Sequence, residues 1–167
     1  MKTLIVFSTK YGTTEKCAKI LKEKLNGDID LCNLKKTDEV EIFNYDKVII
    51  GGSIYVGQIQ KEVKKFCSEN LNKLKKKRVG LFICCMNEKS GQEQLNNSFP
   101  KELLISAVAK ETFGGEFRFS KMNFFEKFII KTISKKDENM PPIDTKKDIS
   151  KIVEENINKF VQYIEKN

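Results

Sequence analysis

The chain has 167 residues, 40% of them hydrophobic, and a net charge of +8. This length suits a single domain over residues 1–167, and the apolar runs are shorter than the roughly 18 residues that a membrane span needs. With no histidine and no CxxC pair among its five cysteines, the sequence predicts neither a metal site nor histidine-based catalysis.

Apolar runs alternate with helical periodicity along the whole chain. The predicted elements, in order, are a strand at 2–7, a helix at 13–25, strands at 29–34 and 47–51, a helix at 60–74, a strand at 78–84, a helical segment at 93–106 broken near Pro100, a strand at 107–113 and a helix at 146–164. The first strand begins at once, without a signal peptide's cleavage region, which predicts a cytoplasmic protein.

Five strands separated by helices predict an α/β three-layer sandwich, with a parallel sheet of order 2-1-3-4-5 covered on both faces. Such sheets bind ligands beyond the carboxyl ends of the strands, where the winding direction reverses. For this order, that point lies between strands one and three. The loops there are "STKYGTT", residues 8–14, and "GGSIYVG", residues 51–57.

The loop at 8–14 places four hydroxyl side chains around one glycine at the start of a helix: Ser8, Thr9, Thr13 and Thr14. A helix amino terminus attracts anions through its unpaired amides, and Gly12 can adopt the positive φ of a curled loop. Capping of the helix by Thr13 or Thr14 is the alternative, although one hydroxyl suffices for a cap. The spacings of the Walker loop and of G-x-G-x-x-G are absent, so a dinucleotide is not expected.

These two loops resemble those of the flavodoxin superfamily. "STKYGTT" is similar to the flavodoxin phosphate loop, and "GGSIYVGQIQKEVKKF" resembles the flavin-ring loop in the S-I-x-x-G form of menaquinone-dependent protoporphyrinogen oxidases. The segment "FFEKFIIKTISKK" also resembles an insertion that those oxidases carry after strand five, here about 115–145. The resemblance implies a flavodoxin-like fold and FMN as the cofactor.

The resemblance also implies a set of cofactor-binding residues. The phosphate would be held by Ser8, Thr9, Lys10, Tyr11, Gly12, Thr13 and Thr14; the flavin ring would lie along Ser53, Ile54, Tyr55, Val56 and Gly57, with Cys84, Cys85, Met86 and Asn87 at its other edge. Tyr55 is the expected stacking residue, with an ordinary core aromatic as the alternative. A flip of the Gly57 peptide would offer its carbonyl to a protonated flavin nitrogen. No side chain stands out as a catalytic acid, base or nucleophile.

The insertion contains an amphipathic pattern over residues 119–136. Met122, Phe125, Ile129 and Ile133 share one helical face, which Phe124 and Phe128 widen, and lysines lie opposite. This pattern fits either a core helix on the sheet edge or a basic surface that meets a membrane or covers an anionic, apolar substrate. Residues 134–145 are expected to form an exposed loop.

The sequence therefore favours an FMN-dependent oxidoreductase, with a quinone or a redox partner protein as electron acceptor and a porphyrinogen-type substrate implied by the resemblance. The protein would be cytoplasmic or peripheral at the inner face of the membrane. The alternative is an electron carrier whose basic surface docks an acidic protein. The acidic residues that a phosphorylation-switched receiver domain requires are absent from this sequence, so that class is not expected. The lysine clusters do not form a recognisable nucleic-acid-binding module.

Overall fold

A computed structural model describes residues 1–37, 39–136 and 143–166. The strands are β1 (Lys2–Ser8), β2 (Asp28–Asn33), β3 (Lys47–Tyr55), β4 (Gln58–Ile59), β5 (Arg78–Cys84), β6 (Ala109–Thr112), β7 (Gly114–Phe117) and β8 (Ile149–Ile152). The helices are α1 (Thr13–Lys24), α2 (Lys61–Glu69), α3 (Leu71–Leu74), α4 (Glu88–Ser98), α5 (Lys101–Ser106), α6 (Phe124–Lys136) and α7 (Glu154–Glu165).

The central sheet runs in the order β2-β1-β3-β5-β6, with every neighbouring pair parallel. This is the predicted order of the five long strands, so the fold class is confirmed. The short β4 turns back on β3 as an antiparallel hairpin, which the sequence did not predict. Because β1 and β3 are neighbours at the switch point, their carboxyl ends open side by side.

Alternating side chains along each strand divide the core into two layers. On one face, Leu4 and Val6 of β1 join a cluster with residues of α2, α3, α4 and α5. On the other face, Ile5 and Phe7 join a cluster with residues of α1 and α7. This alternation follows from the two-residue period of a strand, and burial on both faces is what makes the strands continuous apolar runs.

Three predicted helices differ from the observed structure. The helix predicted over 60–74 is divided at Asn70 into α2 and α3. The helix predicted over 146–164 was wrong at its beginning, because Ile149–Ile152 forms β8 and α7 starts only at Glu154. β8 pairs antiparallel with β7, the segment Gly114–Phe117 that follows the last strand of the sheet. The helical segment predicted from 93 begins earlier, at Glu88, and breaks near Pro100 as predicted.

The segment expected as the insertion, about 115–145, contains most of β7, a 3₁₀ turn at Phe119–Lys121 and α6, and β8 follows it and pairs with β7. The insertion has a small core of its own, to which Met86 of the domain contributes: Met86, Phe117, Phe119, Met122 and Ile130. The expected loop at 134–145 was wrong at its start, since α6 continues to Lys136, and residues 137–142 lie outside the described residues. Among the helices that the structure describes, none combines the length and hydrophobicity needed to cross a bilayer.

The buried face of α6 differs from the predicted one. Ile130 is the buried apolar residue of this helix, whereas Phe124, Phe125 and Phe128 are exposed to 81%, 77% and 62%. Of the two alternatives for this segment, a core helix that packs these phenylalanines on the sheet edge is therefore wrong. Periodicity cannot distinguish the two sides here, because apolar residues occupy more than half of the helix circumference.

Candidate functional site

A cavity of about 250 Å³ lies beyond the carboxyl ends of β1, β3 and β5. The loops after these three strands form its walls, as predicted for the switch point of such a sheet. The predicted site residues that line the cavity are Thr9, Lys10, Tyr11, Thr13, Ser53, Ile54, Tyr55, Val56, Gly57, Cys84, Cys85, Met86 and Asn87. One cavity thus brings together side chains from all three predicted loops.

The loop after β1 delivers the amino terminus of α1 to this cavity. Gly12 is the N-cap residue, with φ of 99°, and no side chain in the described part of the chain caps the helix. The alternative that Thr13 or Thr14 caps the helix is therefore wrong. Thr14 is buried, and its hydroxyl makes no hydrogen bond of ordinary geometry to the described residues, although it lies close enough to the Cys84 thiol to act on that group's pKa. An uncapped helix start beside an unsatisfied hydroxyl fits a phosphate group.

Three predicted phosphate-binding residues do not line the cavity itself. Gly12 has no side chain, and its backbone N–H donates to the Thr9 hydroxyl over 2.9 Å. Ser8 is fully buried at the end of β1 and donates to Glu62 over 3.3 Å. Thr14 is fully buried beside the loop and is not among the residues that line the cavity.

The loop after β3 is a tight hairpin. Val56 and Gly57 form its two-residue turn, with φ of 50° and 72°. The base of the hairpin is fixed by Gln60, whose side chain accepts from the Ser53 amide over 2.9 Å and donates to the Ser53 hydroxyl over 2.6 Å. The predicted ring-binding loop is therefore held rigidly at its base and bends sharply at its tip.

Two tyrosines and a lysine connect these two loops. The rings of Tyr11 and Tyr55 meet edge to face, with centroids 6.4 Å apart, and Lys10 Nζ lies 3.7 Å from the Tyr55 ring centroid. Lys10 also pairs with Glu126 of α6 over 2.7 Å. The hydrogen bond from Lys10, together with one from the Asn123 amide, lowers the pKa of Glu126 to about 2. The ion pair therefore joins α6 to the mouth of the cavity.

The loop after β5 offers thiols and a thioether to the cavity. Met86 is buried against the insertion, and Cys85 donates through its thiol to Gln94 over 3.1 Å. The Cys84 and Cys17 sulfurs lie 3.6 Å apart, and this contact together with burial raises the pKa of the Cys84 thiol. Buried, protonated thiols of this kind are weak nucleophiles.

Most of the remaining cavity wall was missed by sequence reasoning, and only Met122 and Ile133 belong to the insertion face that was expected to meet a membrane or cover a substrate. This remaining wall comes from α4 and the insertion, and consists of Gln94, Gly115, Glu116, Phe117, Met122, Ile130 and Ile133. Glu116 has only 5% of its side chain exposed, although it is charged. Burial alone would raise the pKa of the Glu116 carboxyl, but hydrogen bonds from Lys16 and Ser150 hold it below its ordinary value. A carboxylate within a strongly basic segment was the signal that could have identified Glu116.

Comparisons with known proteins agree with this geometry. A profile of the flavodoxin domain family matches residues 4–142. The protoporphyrinogen IX dehydrogenase [quinone] of Escherichia coli strain K12 is 25% identical over 158 residues, which cover 89% of this chain and 86% of that protein. The family match confirms the predicted resemblance and the predicted cofactor, FMN.

Solved structures share the fold at low sequence identity. An oxidised flavodoxin from Bacillus cereus is 13% identical, with a TM-score of 0.53 over 98% of this chain and 95% of that one. The rubredoxin oxygen:oxidoreductase of Desulfovibrio gigas is 16% identical, with a TM-score of 0.56 over 98% of this chain. The chain spans only 35% of the length of that second protein.

Proposed function

We propose, since this chain belongs to the flavodoxin domain family, that it is an oxidoreductase that holds FMN between the loops after β1, β3 and β5. When bound, FMN accepts and donates electrons one or two at a time. The observation that carries the proposal is the single cavity lined by Thr13, Tyr55 and Met86, one residue from each loop. Such convergence at the switch point of a parallel sheet is typical of a nucleotide-type ligand.

Each wall has a distinct task in this proposal. The uncapped start of α1 and the buried Thr14 hydroxyl bind the phosphate. Tyr55 offers its aromatic ring to the flavin, and Lys10, whose Nζ lies 3.7 Å from the Tyr55 ring centroid, keeps positive charge near the site. Met86 and Phe117 exclude water from the opposite side. The protein thus binds, orients and shields the cofactor, and the electron transfer itself belongs to the flavin.

The substrate side of the cavity is apolar but has cations at its edge. Ile130 and Ile133 of α6 line the cavity, while Lys10 lies at its mouth. This combination suits a flat, apolar molecule that carries carboxylates, as a porphyrinogen does. The resemblance to a quinone-dependent dehydrogenase supports a quinone as the electron acceptor. We therefore propose a dehydrogenase that passes electrons from an anionic, apolar substrate to a quinone.

Anaerobic reoxidation distinguishes this enzyme from an electron carrier. The FMN-loaded protein is reduced, then mixed with a water-soluble quinone or with an acidic ferredoxin-type protein, and flavin absorbance is followed. We expect the quinone to be the faster oxidant, and we expect Ile133→Ala to slow it several-fold. Ile105→Ala, at an 85% exposed site on α5, is the control that leaves the rate unchanged. Rapid reoxidation by the acidic protein alone would instead establish the electron carrier.

We also propose that α6 rests on an anionic bilayer surface, from which a quinone would be delivered. The exposed rings of Phe124, Phe125 and Phe128 form one apolar face, and the first two rings lie 6.4 Å apart. Lys131 and Lys135 on the same helix are exposed and match the negative charge of such a surface. The buried side of this helix lines the cavity, so the proposed docking would place the site next to the bilayer.

Vesicle sedimentation tests this surface. We expect the protein to bind vesicles that contain anionic lipid, to bind zwitterionic vesicles more weakly, and to lose binding in Phe125→Ser/Phe128→Ser. The control is Phe43→Ser, because Phe43 is 82% exposed but lies just before β3, at the amino ends of the strands and so away from the cavity at their carboxyl ends. Equal loss in the control, or no loss in the double variant, would contradict the proposed membrane surface.

A further inference from the structure

Arg118 of the insertion lies directly against the loop after β1. It follows β7, and its Nη1 donates to the Tyr11 carbonyl over 3.3 Å. A Cβ placed on Gly12 would lie 3.2 Å from this nitrogen, so the glycine leaves room for the guanidinium. The insertion therefore places a permanent positive charge on the backbone that begins α1.

Glu116 fixes the orientation of this guanidinium. The Glu116 carboxylate accepts from Arg118 Nε over 3.2 Å and from Lys16 Nζ over 2.7 Å. It also accepts from the hydroxyls of Thr13 and Ser150, over 3.3 and 2.9 Å. This network fixes the edge of Arg118 that carries Nε, so that the charge faces the loop from a defined direction.

Two cations lie closest to the start of α1. A Cβ placed on Gly12 would lie 3.2 Å from Arg118 Nη1 and 3.9 Å from Lys121 Nζ. Carboxylates offset part of this charge, because Glu116 pairs with Arg118 and Asp148 acts on both cations. The charged atoms within 4 Å of that position are nevertheless both positive among the described residues, and they add to the partial positive charge of the α1 amino terminus.

We propose that Arg118 is a specificity-determining residue that makes the site select a flavin with a terminal phosphate, an inference that rests on the proposed FMN site. A guanidinium is planar and always charged, and it forms strong paired hydrogen bonds with phosphate oxygens. Riboflavin has the same ring and side chain but no phosphate, so it gains nothing from this charge. The preference for FMN over riboflavin therefore comes partly from Arg118 of the insertion and partly from the amides and hydroxyls of the loop after β1.

Titrations of the flavin-free protein with FMN and with riboflavin, followed by flavin fluorescence, test the proposal. In Arg118→Gln we expect FMN to bind roughly ten- to a hundredfold more weakly, the range of one charge-assisted hydrogen bond, while riboflavin affinity changes less than about twofold. Arg118→Lys keeps the charge and should restore part of the FMN affinity. Lys101→Gln removes one charge from an exposed position on α5 and should change neither affinity.

The riboflavin titration also reports whether each variant still folds its ring site. Equal weakening of both flavins in Arg118→Gln would show that Arg118 only supports the structure, and would overturn the proposal. Unchanged binding of both flavins would overturn it as well. If the unaltered protein binds neither flavin, the proposed FMN site itself fails. If it prefers FMN and Arg118→Gln keeps the same preference, the FMN site stands and only the role of Arg118 fails.

Discussion

The turn between β3 and β4 carries a backbone strain that a single substitution should relieve. Val56 has φ of 50°, and among the described residues it is the only one besides glycines with positive φ. A left-handed conformation costs an ordinary residue about 1–2 kcal/mol, and a β-branched side chain fits it especially poorly. Asparagine adopts this conformation readily and is favoured, followed by glycine, in two-residue hairpins.

Val56→Asn should therefore increase the free energy of unfolding. The Val56 side chain is 57% exposed, so its loss removes about 0.5–1 kcal/mol of burial, less than the backbone gain. We expect a net increase of about 0.5 kcal/mol, measured by urea denaturation with an unchanged m value. Val56→Thr is the matched control, because threonine is also β-branched and retains the strain while losing a methyl group.

The comparison between the two variants isolates the backbone contribution. We expect the asparagine variant to be more stable than the threonine variant by about 1 kcal/mol. Equal stabilities would refute the assignment of strain to this turn. Since the turn lines the cavity, a confirmed strain would support a functional reason for keeping valine there, because strained residues persist mainly at functional sites.

Three further results are expected from the structure. Gly57→Ala should lower the unfolding free energy by about 1 kcal/mol through φ alone, since no atom lies within 4 Å of the added Cβ; an unchanged urea midpoint would contradict this. Gly51→Ala should cost about 1–3 kcal/mol or more in the same assay, because its Cβ would lie 2.0 Å from the Phe82 ring, and a stable variant would be unexpected. The pKa of Glu126, about 2 against an ordinary 4.5, means that the stability from its pair with Lys10 is complete above pH 4.5, falls progressively below that pH and is gone once pH has fallen through about 2. A carboxyl NMR titration centred near 4.5 would contradict the last expectation.

The central sheet was predictable because its strands carry local signals. Residues 47–51 and 78–84 are continuous apolar runs, which strands buried on both faces require. The β7–β8 pair has no such signal, since "GGEF" contains one large apolar residue and "ISKI" is only four residues long. Ile149 and Val153 also show helical spacing, and the pairing that overrides this spacing joins segments more than 30 residues apart.

The candidate site was predictable only in those loops whose own residues form a recognisable sequence motif. The hydroxyl residues at 8–14 and the sequence motif at 51–57 predicted two of the loops that line the cavity. Glu116 and Ile130 reach it from the insertion, Arg118 lies against the loop after β1, and the positions of all three depend on how that segment folds back over α1. Such contacts are set by tertiary packing between distant segments, which residue type and local spacing do not encode.

The most direct test of the account is a titration of the flavin-free protein with FMN. We expect one FMN to bind per chain with quenched fluorescence, and Thr13→Ala/Thr14→Ala to weaken binding by roughly tenfold or more. Thr132→Ala, on the exposed side of α6, should bind as the unaltered protein does. Undiminished affinity in the double variant, or no FMN binding by the unaltered chain, would contradict the claim that the start of α1 holds the cofactor's phosphate.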